Sequence, residues 1–347
     1  MDYRTIVVGT DGSVTATSAL RAAVRFATRC KAKLVLVCAF DPPRISRAMA
    51  ETVLEHAARS ARGEGVEVEV ETGGAEPAGL ILGVAERRGA GLVVVGNKGI
   101  GEATRFRLGS VPDRVAHQAG CDVLVVDTSG APGPTRADRG YRTLLIGTDG
   151  SATASEAARK GLELAMILRA DAELIYVGDP IVGAITLEET AATAPERVTV
   201  RTHVAQGDPT NRIVGVATEI DADLVVVGNK GMSGARRFLL GSVPNQLAHA
   251  VPTDILIVKT VDRALSDIAP GHGAVVTAGG RRLAVYRDEQ GGLHAVSPRC
   301  THMGCTVDWN DADRTWDCPC HGSRYGTDGA VIKGPADKEL AAAEISE

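Results

Sequence analysis

Short runs of apolar, mostly β-branched residues recur along the first 260 positions of the chain. Between them lie longer Ala/Arg/Glu-rich stretches whose apolar residues return at helical spacing. The short runs predict strands over 4–9, 33–39, 66–71, 92–96 and 122–127, and the intervening stretches, such as 15–31 and 76–88, predict helices. Leu92-Val-Val-Val95 and Val123-Leu-Val-Val126 show no polar alternation, which fits parallel strands covered on both faces. Strand–helix alternation of this kind predicts a doubly wound parallel α/β sheet. Beyond residue 272 the pattern changes. Ala274-Val-Val-Thr277 and Leu283-Ala-Val-Tyr286 are short runs separated by Gly-Gly and Asp/Asn turns, so a small, turn-rich, all-β module is expected there.

The α/β part is written twice. Tyr3-Arg-Thr-Ile-Val-Val-Gly-Thr-Asp-Gly-Ser13 returns as Tyr141-Arg-Thr-Leu-Leu-Ile-Gly-Thr-Asp-Gly-Ser151, Leu92–Gly99 returns unchanged as Leu224–Gly231, and Leu108–Pro112 returns as Leu240–Pro244. The offset falls from 138 to 132, so the second copy has lost about one turn's worth of chain. Two copies this long indicate a duplicated domain rather than a solenoid. The segment 128–140, with Pro132 and Pro134, reads as a linker, and a second junction lies at 261–272. Three domains are therefore expected, at 1–130, 141–260 and 272–347.

Composition narrows the class. Hydrophobic residues make up 44% and charged residues 23%, enough for globular cores, and a net charge of −5 without a Lys/Arg block argues against nucleic acid as a partner. No apolar run approaches the ~18 residues of a membrane span, and the chain opens on a strand with no leader or lipidation motif. A cytoplasmic protein is expected. Of seven cysteines, Cys30, Cys38 and Cys121 stand alone as buried free thiols would, whereas four crowd into 300–320 beside both tryptophans. That clustering points to a metal site rather than a disulfide framework.

Two constellations carry chemistry. After the fourth predicted strand of each copy comes Gly96-x-x-Gly99, nine residues, and Gly109-Ser110, repeated as Gly228-x-x-Gly231, nine residues, and Gly241-Ser242. Glycines at a strand end let backbone N–H groups face a phosphate, and the helices expected at 110–119 and 242–250 add a favourable dipole. Lys98, Arg105, Arg107, Lys230, Arg236 and Arg237 add positive charge. Tight turns in a non-binding fold, or binding by one copy alone, are the competing readings. No Walker-type Gly-Lys-Ser/Thr occurs, so binding is favoured over hydrolysis. The other constellation is Cys300-Thr-His302-Met-Gly-Cys305 followed by Cys318-Pro-Cys320-His321-Gly-Ser323. Two thiolates and two imidazoles in these pairs suit a metal centre with sulfur at one end and nitrogen at the other, and a structural Cys2His2 zinc site is the alternative.

The second constellation resembles the two boxes of Rieske [2Fe–2S] proteins, over roughly 273–345. The resemblance implies that Cys300, His302, Cys318 and His321 ligate the cluster. It also implies that Cys305 and Cys320 form a disulfide between the cluster loops and that Ser323 and Tyr325 donate hydrogen bonds that raise the potential. Gly334-Pro335-Ala336 resembles the loop that covers the cluster. Residues 1–260 resemble a tandem of universal stress protein domains, and Gly-x-x-Gly-x9-Gly-Ser is the motif of that family's ATP-binding branch. Carried over, the resemblance implies that adenosine contacts Gly9, Asp11 and Val37, with phosphates at Gly96, Gly99, Gly109, Ser110 and Val111. The second copy offers Gly147, Asp149, Val177, Gly228, Gly231, Gly241, Ser242 and Val243. It implies as well that the tandem forms an internal pseudo-dimer, with or without further homo-oligomerisation.

Together these readings predict a cytoplasmic stress protein that binds ATP, with or without Mg2+, and carries a [2Fe–2S] cluster for one-electron transfer or redox sensing with an unidentified redox partner protein. The alternative is a ferredoxin-like component of an oxygenase or reductase system, with the tandem as docking scaffold. No catalytic residue is expected, nor any membrane partner. His117, His249, His272 and His294 are expected to be ordinary polar histidines.

Overall fold

The computed structural model describes residues 3–41, 45–98, 108–128, 139–229, 240–259, 265–278, 281–302, 304, 306–318 and 322–345. These divide into two compact units, one up to residue 259 and one from 265 onward.

In the first unit, β1 (Thr5–Gly9), α1 (Val14–Cys30), β2 (Lys33–Ala39), α2 (Arg47–Gly63), β3 (Val68–Gly73), α3 (Pro77–Arg87), β4 (Leu92–Gly96), α4 (Ser110–Gln118) and β5 (Asp122–Val126) make the first copy. The second copy follows as β6 (Thr143–Gly147), α5 (Ala152–Leu168), β7 (Asp171–Val177), α6 (Pro180–Ala191), β8 (Val200–Ala205), α7 (Pro209–Glu219), β9 (Leu224–Gly228), α8 (Ser242–Ala250) and β10 (Asp254–Val258). The strands run in the order 3-2-1-4-5-10-9-6-7-8, so each copy is a parallel doubly wound sheet and the two are joined edge to edge. Alternation along each strand splits the core between the two faces. Ile6 and Val8 join Phe26 and Leu54 under α1 and α2, while Val7 and Val93 join Ile81 and Val115 under α3 and α4.

Strand β3 pairs from Val68 with Leu34, two residues later than the expected 66–71. Val66 instead ends the turn after α2, its N–H bonded to Ala61 O, and buries its side chain there. The missing turn of the second copy lies between β7 and β8. Helix α6 has 12 residues against 17 in α2, and only two residues separate it from β7.

The joint between copies is antiparallel, with Leu124 opposite Leu256, Val125 opposite Ile255 and Val123 opposite Ile257. Buried polar groups repeat across it. Tyr3 Oη donates to Asp122 Oδ2 at 2.7 Å and Tyr141 Oη to Asp254 Oδ2 at 2.6 Å. The other oxygens accept backbone N–H groups from across the joint, Lys259 N at 2.7 Å on Asp122 and Asp127 N at 2.8 Å on Asp254. Burial pushes the Asp122 carboxyl above its ordinary range, against the pull of Lys160. The tandem is thus a pseudo-dimer within one chain, its seam marked by a matched pair of carboxylates.

The second unit contains a three-stranded sheet of β11 (Gly273–Ala278), β12 (Arg281–Arg287) and β13 (Leu293–Val296). A four-stranded sheet of β14 (Asp308–Asn310), β15 (Thr315–Asp317), β16 (Arg324–Tyr325) and β17 (Val331–Lys333) completes it. Its core gathers Trp309, Trp316, Tyr325, Cys300 and Cys318. Gly273 permits this packing, because a Cβ there would stand 2.6 Å from the Trp309 ring and 2.9 Å from Trp316. Gly273→Ala should therefore destabilise this unit by about 1–3 kcal/mol. Tryptophan fluorescence in a urea titration reads the unit selectively, since both tryptophans lie in it. An unchanged midpoint would mean that the indoles shift at no cost.

Candidate cluster and nucleotide sites

The sulfur site is assembled from two loops of the same design. Gly304 N–H returns to Cys300 O at 2.8 Å, and Gly322 N–H returns to Cys318 O at 3.0 Å. Both glycines hold left-handed φ, 72° and 75°, which side-chain-bearing residues rarely adopt. A glycine four places after each cysteine was therefore a structural signal in the sequence, and it was missed. Each turn presents its cysteine inward; Cys300 is 2% exposed and Cys318 is 3%.

Hydroxyl groups converge on these thiols. Tyr325 Oη lies 3.1 Å from Cys300 Sγ and accepts the Thr301 N–H at 3.2 Å, and its own proton is shared between that sulfur and Thr301 Oγ1, which gives its proton to Lys338 O. Thr301 Oγ1, another residue the sequence reading passed over, bridges Tyr325 Oη and Lys338 O. Ser323 is fully buried and its Oγ accepts the Ala336 N–H at 3.0 Å, which ties the 334–336 loop to the site. Burial drives the Cys300 thiol upward. The Tyr325 hydroxyl, His302 N–H, Cys318 and Ser323 outweigh it and hold the thiol below its ordinary range. Cys30 and Cys38, by contrast, are pushed up to about 11 by burial, as inert structural thiols are.

The site thus eases loss of the Cys300 proton relative to an ordinary thiol, towards the thiolate form that binds iron, and it supplies donors to accept added negative charge. Among the described residues no three His, Cys, Asp or Glu side chains gather as a single-ion site would need. In a binuclear centre the cysteines and histidines sit on different irons, and the two buried cysteines with hydroxyl groups directed at them match the sulfur end of such a centre. His321, Cys305 and Cys320 lie outside the described residues.

The second candidate site lies in the first unit, where β1, β2 and β4 end. A cavity of about 760 Å³ opens there, lined by Gly9, Asp11, Val37, Gly96, Gly109, Ser110 and Val111, together with Lys98 and Asp41. Gly99 lies outside the described residues, as do Arg105 and Arg107. Gly109 N–H closes back onto Asn97 O at 2.8 Å, which holds the two ends of the glycine loop together. Six of the eight described helices are capped by a side chain at the N-terminus, but α4 and α8 begin at Gly109 and Gly241 with no side-chain cap. The volume and the glycine-lined end suit a nucleotide.

The second copy repeats the framework. Gly147 and Gly228 end β6 and β9, Val177 ends β7, and Asp149 Oδ1 accepts the Ser151 N–H at 3.0 Å as Asp11 accepts that of Ser13. Gly241, Ser242 and Val243 begin α8, Gly241 N–H again closes onto Asn229 O, and Gly231, Lys230, Arg236 and Arg237 lie outside the described residues. The rims differ. Asp41 lines the first cavity, whereas its counterpart Asp179 caps α6 through the Ile181 and Val182 N–H groups. His249 of the second copy also accepts the Leu108 N–H at 3.0 Å, one residue before Gly109 of the first. That cross-seam contact has no local sequence signal.

Comparison with known proteins agrees with this division. Residues 2–127 and 181–259 match the model of the universal stress protein family, and residues 259–344 match the Rieske [2Fe-2S] domain. Over 79 residues, 23% of the chain, it is 56% identical to a putative Rieske 2Fe-2S iron-sulfur protein YhfW of Bacillus subtilis, covering 16% of that protein. Over 64 residues, 18% of the chain, it is 44% identical to the cytochrome b6-f complex iron-sulfur subunit of Synechococcus elongatus, covering 36% of it. The chain thus spans well under half of either relative. The crystal structure of a universal stress protein from Archaeoglobus fulgidus superposes with a TM-score of 0.60 over 75% of this chain and 99% of that one, at 18% identity, which speaks for the fold alone.

Proposed function

Since the chain belongs to the universal stress protein family and carries a Rieske [2Fe–2S] domain behind its tandem repeat, we propose that it is a cytoplasmic ATP-binding protein whose iron–sulfur centre passes or senses single electrons. The observation that carries the redox half is the convergence of Tyr325 Oη on Cys300 Sγ at 3.1 Å between two matched cysteine turns.

In this reading Cys300 and Cys318 hold one iron, His302 and His321 hold the other, and Cys305 and Cys320 bridge the two loops. The bound cluster supplies one-electron chemistry in a potential range of about −150 to +300 mV. The chain's own groups set where in that range it falls. Tyr325 and Ser323 donate to sulfur, and such donors favour the reduced, more negative form, so they move the potential upward. The Ala336 N–H fixes the Ser323 hydroxyl, and Thr301 fixes that of Tyr325.

The nucleotide half rests on the first-copy cavity. Adenosine would sit against Val37 and Asp11, with the phosphates towards Gly96, Gly109, Ser110 and Lys98. A pocket for ATP argues for the compartment that holds ATP. Titration calorimetry of the whole chain with ATP tests this half. Saturable binding is expected, weakened about tenfold in Lys98→Ala by loss of one charge-assisted contact. Absence of heat at millimolar ATP would remove the nucleotide from the proposal. Repeating the titration on oxidised and dithionite-reduced protein separates a sensor, whose ATP affinity changes with redox state, from a carrier, whose affinity does not.

A further inference from the structure

Aromatic residues are only 3% of this chain, yet four of them form a row through the second unit. The row begins at Tyr325, whose hydroxyl touches Cys300 Sγ. Trp316 stands directly opposite Tyr325 on neighbouring antiparallel strands, and both are fully buried. Opposed residues of such a pair share a face, with Cβ atoms about 5 Å apart. Trp309 follows, its ring centroid 4.9 Å from Trp316 at 63°, and then Tyr286, 5.3 Å from Trp309 at 28°. His294 stacks on Tyr286 at 6.0 Å with its side chain 55% exposed. Ring contacts therefore run from Trp316 to the solvent-facing His294, and strand register sets Tyr325, beside the candidate cluster ligand, opposite Trp316.

Packing alone would be served as well by leucines. What sets this row apart is the group attached to its middle. Trp309 Nε1 donates to Asp311 Oδ1 at 2.7 Å, and the same oxygen lies 2.8 Å from His272 Nδ1. An indole that loses an electron becomes a much stronger N–H acid. A carboxylate at hydrogen-bond distance can take that proton and return it when the electron is restored, which makes Trp309 easier to oxidise.

We propose that Tyr325, Trp316, Trp309 and Tyr286 form an electron route by which strong one-electron oxidants striking the Tyr286–His294 surface are quenched at the expense of the reduced cluster. This rests on the Rieske reading given above. The exchange balances. The oxidant gains one electron from the outer end of the row, each vacancy is filled from the next ring inward, and the last is filled by the electron of the reduced [2Fe–2S] centre. That centre ends oxidised by one, the aromatic rings are unchanged, and the Trp309 proton returns from Asp311.

The test uses whole protein reduced with dithionite, freed of excess reductant, and mixed with photogenerated tris-bipyridine ruthenium(III). Transient absorption follows the tryptophan radical, and freeze-quench EPR follows the rhombic signal of the reduced cluster. A tryptophan radical should rise and then vanish as one cluster spin is lost per oxidant. Trp309→Phe and Tyr286→Phe should lose the fast phase while retaining the starting signal. Asp311→Asn, which leaves the stack in place, should slow radical formation, an effect that a purely structural role for Trp309 would not produce. Equal fast oxidation in Trp309→Phe, or a wild-type radical that persists while the cluster signal stays, would overturn the route. A protein with no rhombic signal before any oxidant is added would instead overturn the Rieske reading, and the route with it.

Discussion

Cys300→Ser is expected to abolish the rhombic EPR signal of the dithionite-reduced protein and its visible absorption together. The Cys300 side chain is buried to 2% exposure, and its sulfur is approached by hydroxyls from Tyr325 and Ser323. A serine hydroxyl at that place remains protonated, binds iron poorly, and is buried among Trp316 and Tyr325. The hydroxyl costs about 1–3 kcal/mol where it lacks a matched partner. The larger loss is the ligation energy, which in a small metal-bearing unit is folding energy. The unit should therefore lose its cluster and much of its resistance to urea at once. Cys30→Ser is the control, because its thiol lies in the other unit and is held neutral by burial. Iron content and EPR amplitude unchanged in Cys300→Ser would remove Cys300 from the ligand set.

Asp254→Ala should cost the first unit about 2–5 kcal/mol, the sum expected for two buried donors left unsatisfied. Asp254 is 2% exposed and satisfies the Tyr141 hydroxyl and the Asp127 N–H from opposite sides of the seam. Alanine would strand both donors. Asp254→Asn keeps one acceptor oxygen and should recover part of the loss. Far-UV circular dichroism in urea is the measurement, because it reads the α/β unit that tryptophan fluorescence does not. A loss below about 1 kcal/mol, the size of an ordinary surface substitution effect, would mean that the seam is held by Leu124 and Leu256 rather than by its carboxylates.

The sequence made some of this plain and hid the rest for physical reasons. Apolar runs such as Leu92–Val95 announced buried parallel strands because covering both faces leaves no place for polar alternation. The Cys-x-His and Cys-x-x-His boxes announced a metal centre because ligand spacing is set within one short loop. What stayed hidden depends on partners distant in sequence. Nothing local to Asp122 or Asp254 says that they accept N–H groups from residues 127 or more positions away. His249 looked ordinary because its partner, the Leu108 N–H, belongs to the other copy. The sequence grouped Trp309 with Trp316, but their alignment with Tyr286 and Tyr325 follows from strand register. The start of β3 was misjudged because Val66 is as apolar as a strand residue while serving as a plug behind α2.

The antiparallel pairing of β5 with β10 has one further consequence. Where such a seam joins two separate subunits, dilution opens it, and any change to the nucleotide pocket appears in both partners. Here the partners share a chain, so the pairing does not depend on protein concentration and survives the scarcity of a low-copy protein. Each half is also free to drift alone. The shortened α6 and the diverted Asp179 are what such drift looks like: the second half has changed a rim that the first has kept. A covalent pair can thereby come to hold two unlike rims, an asymmetry closed to a dimer of identical subunits.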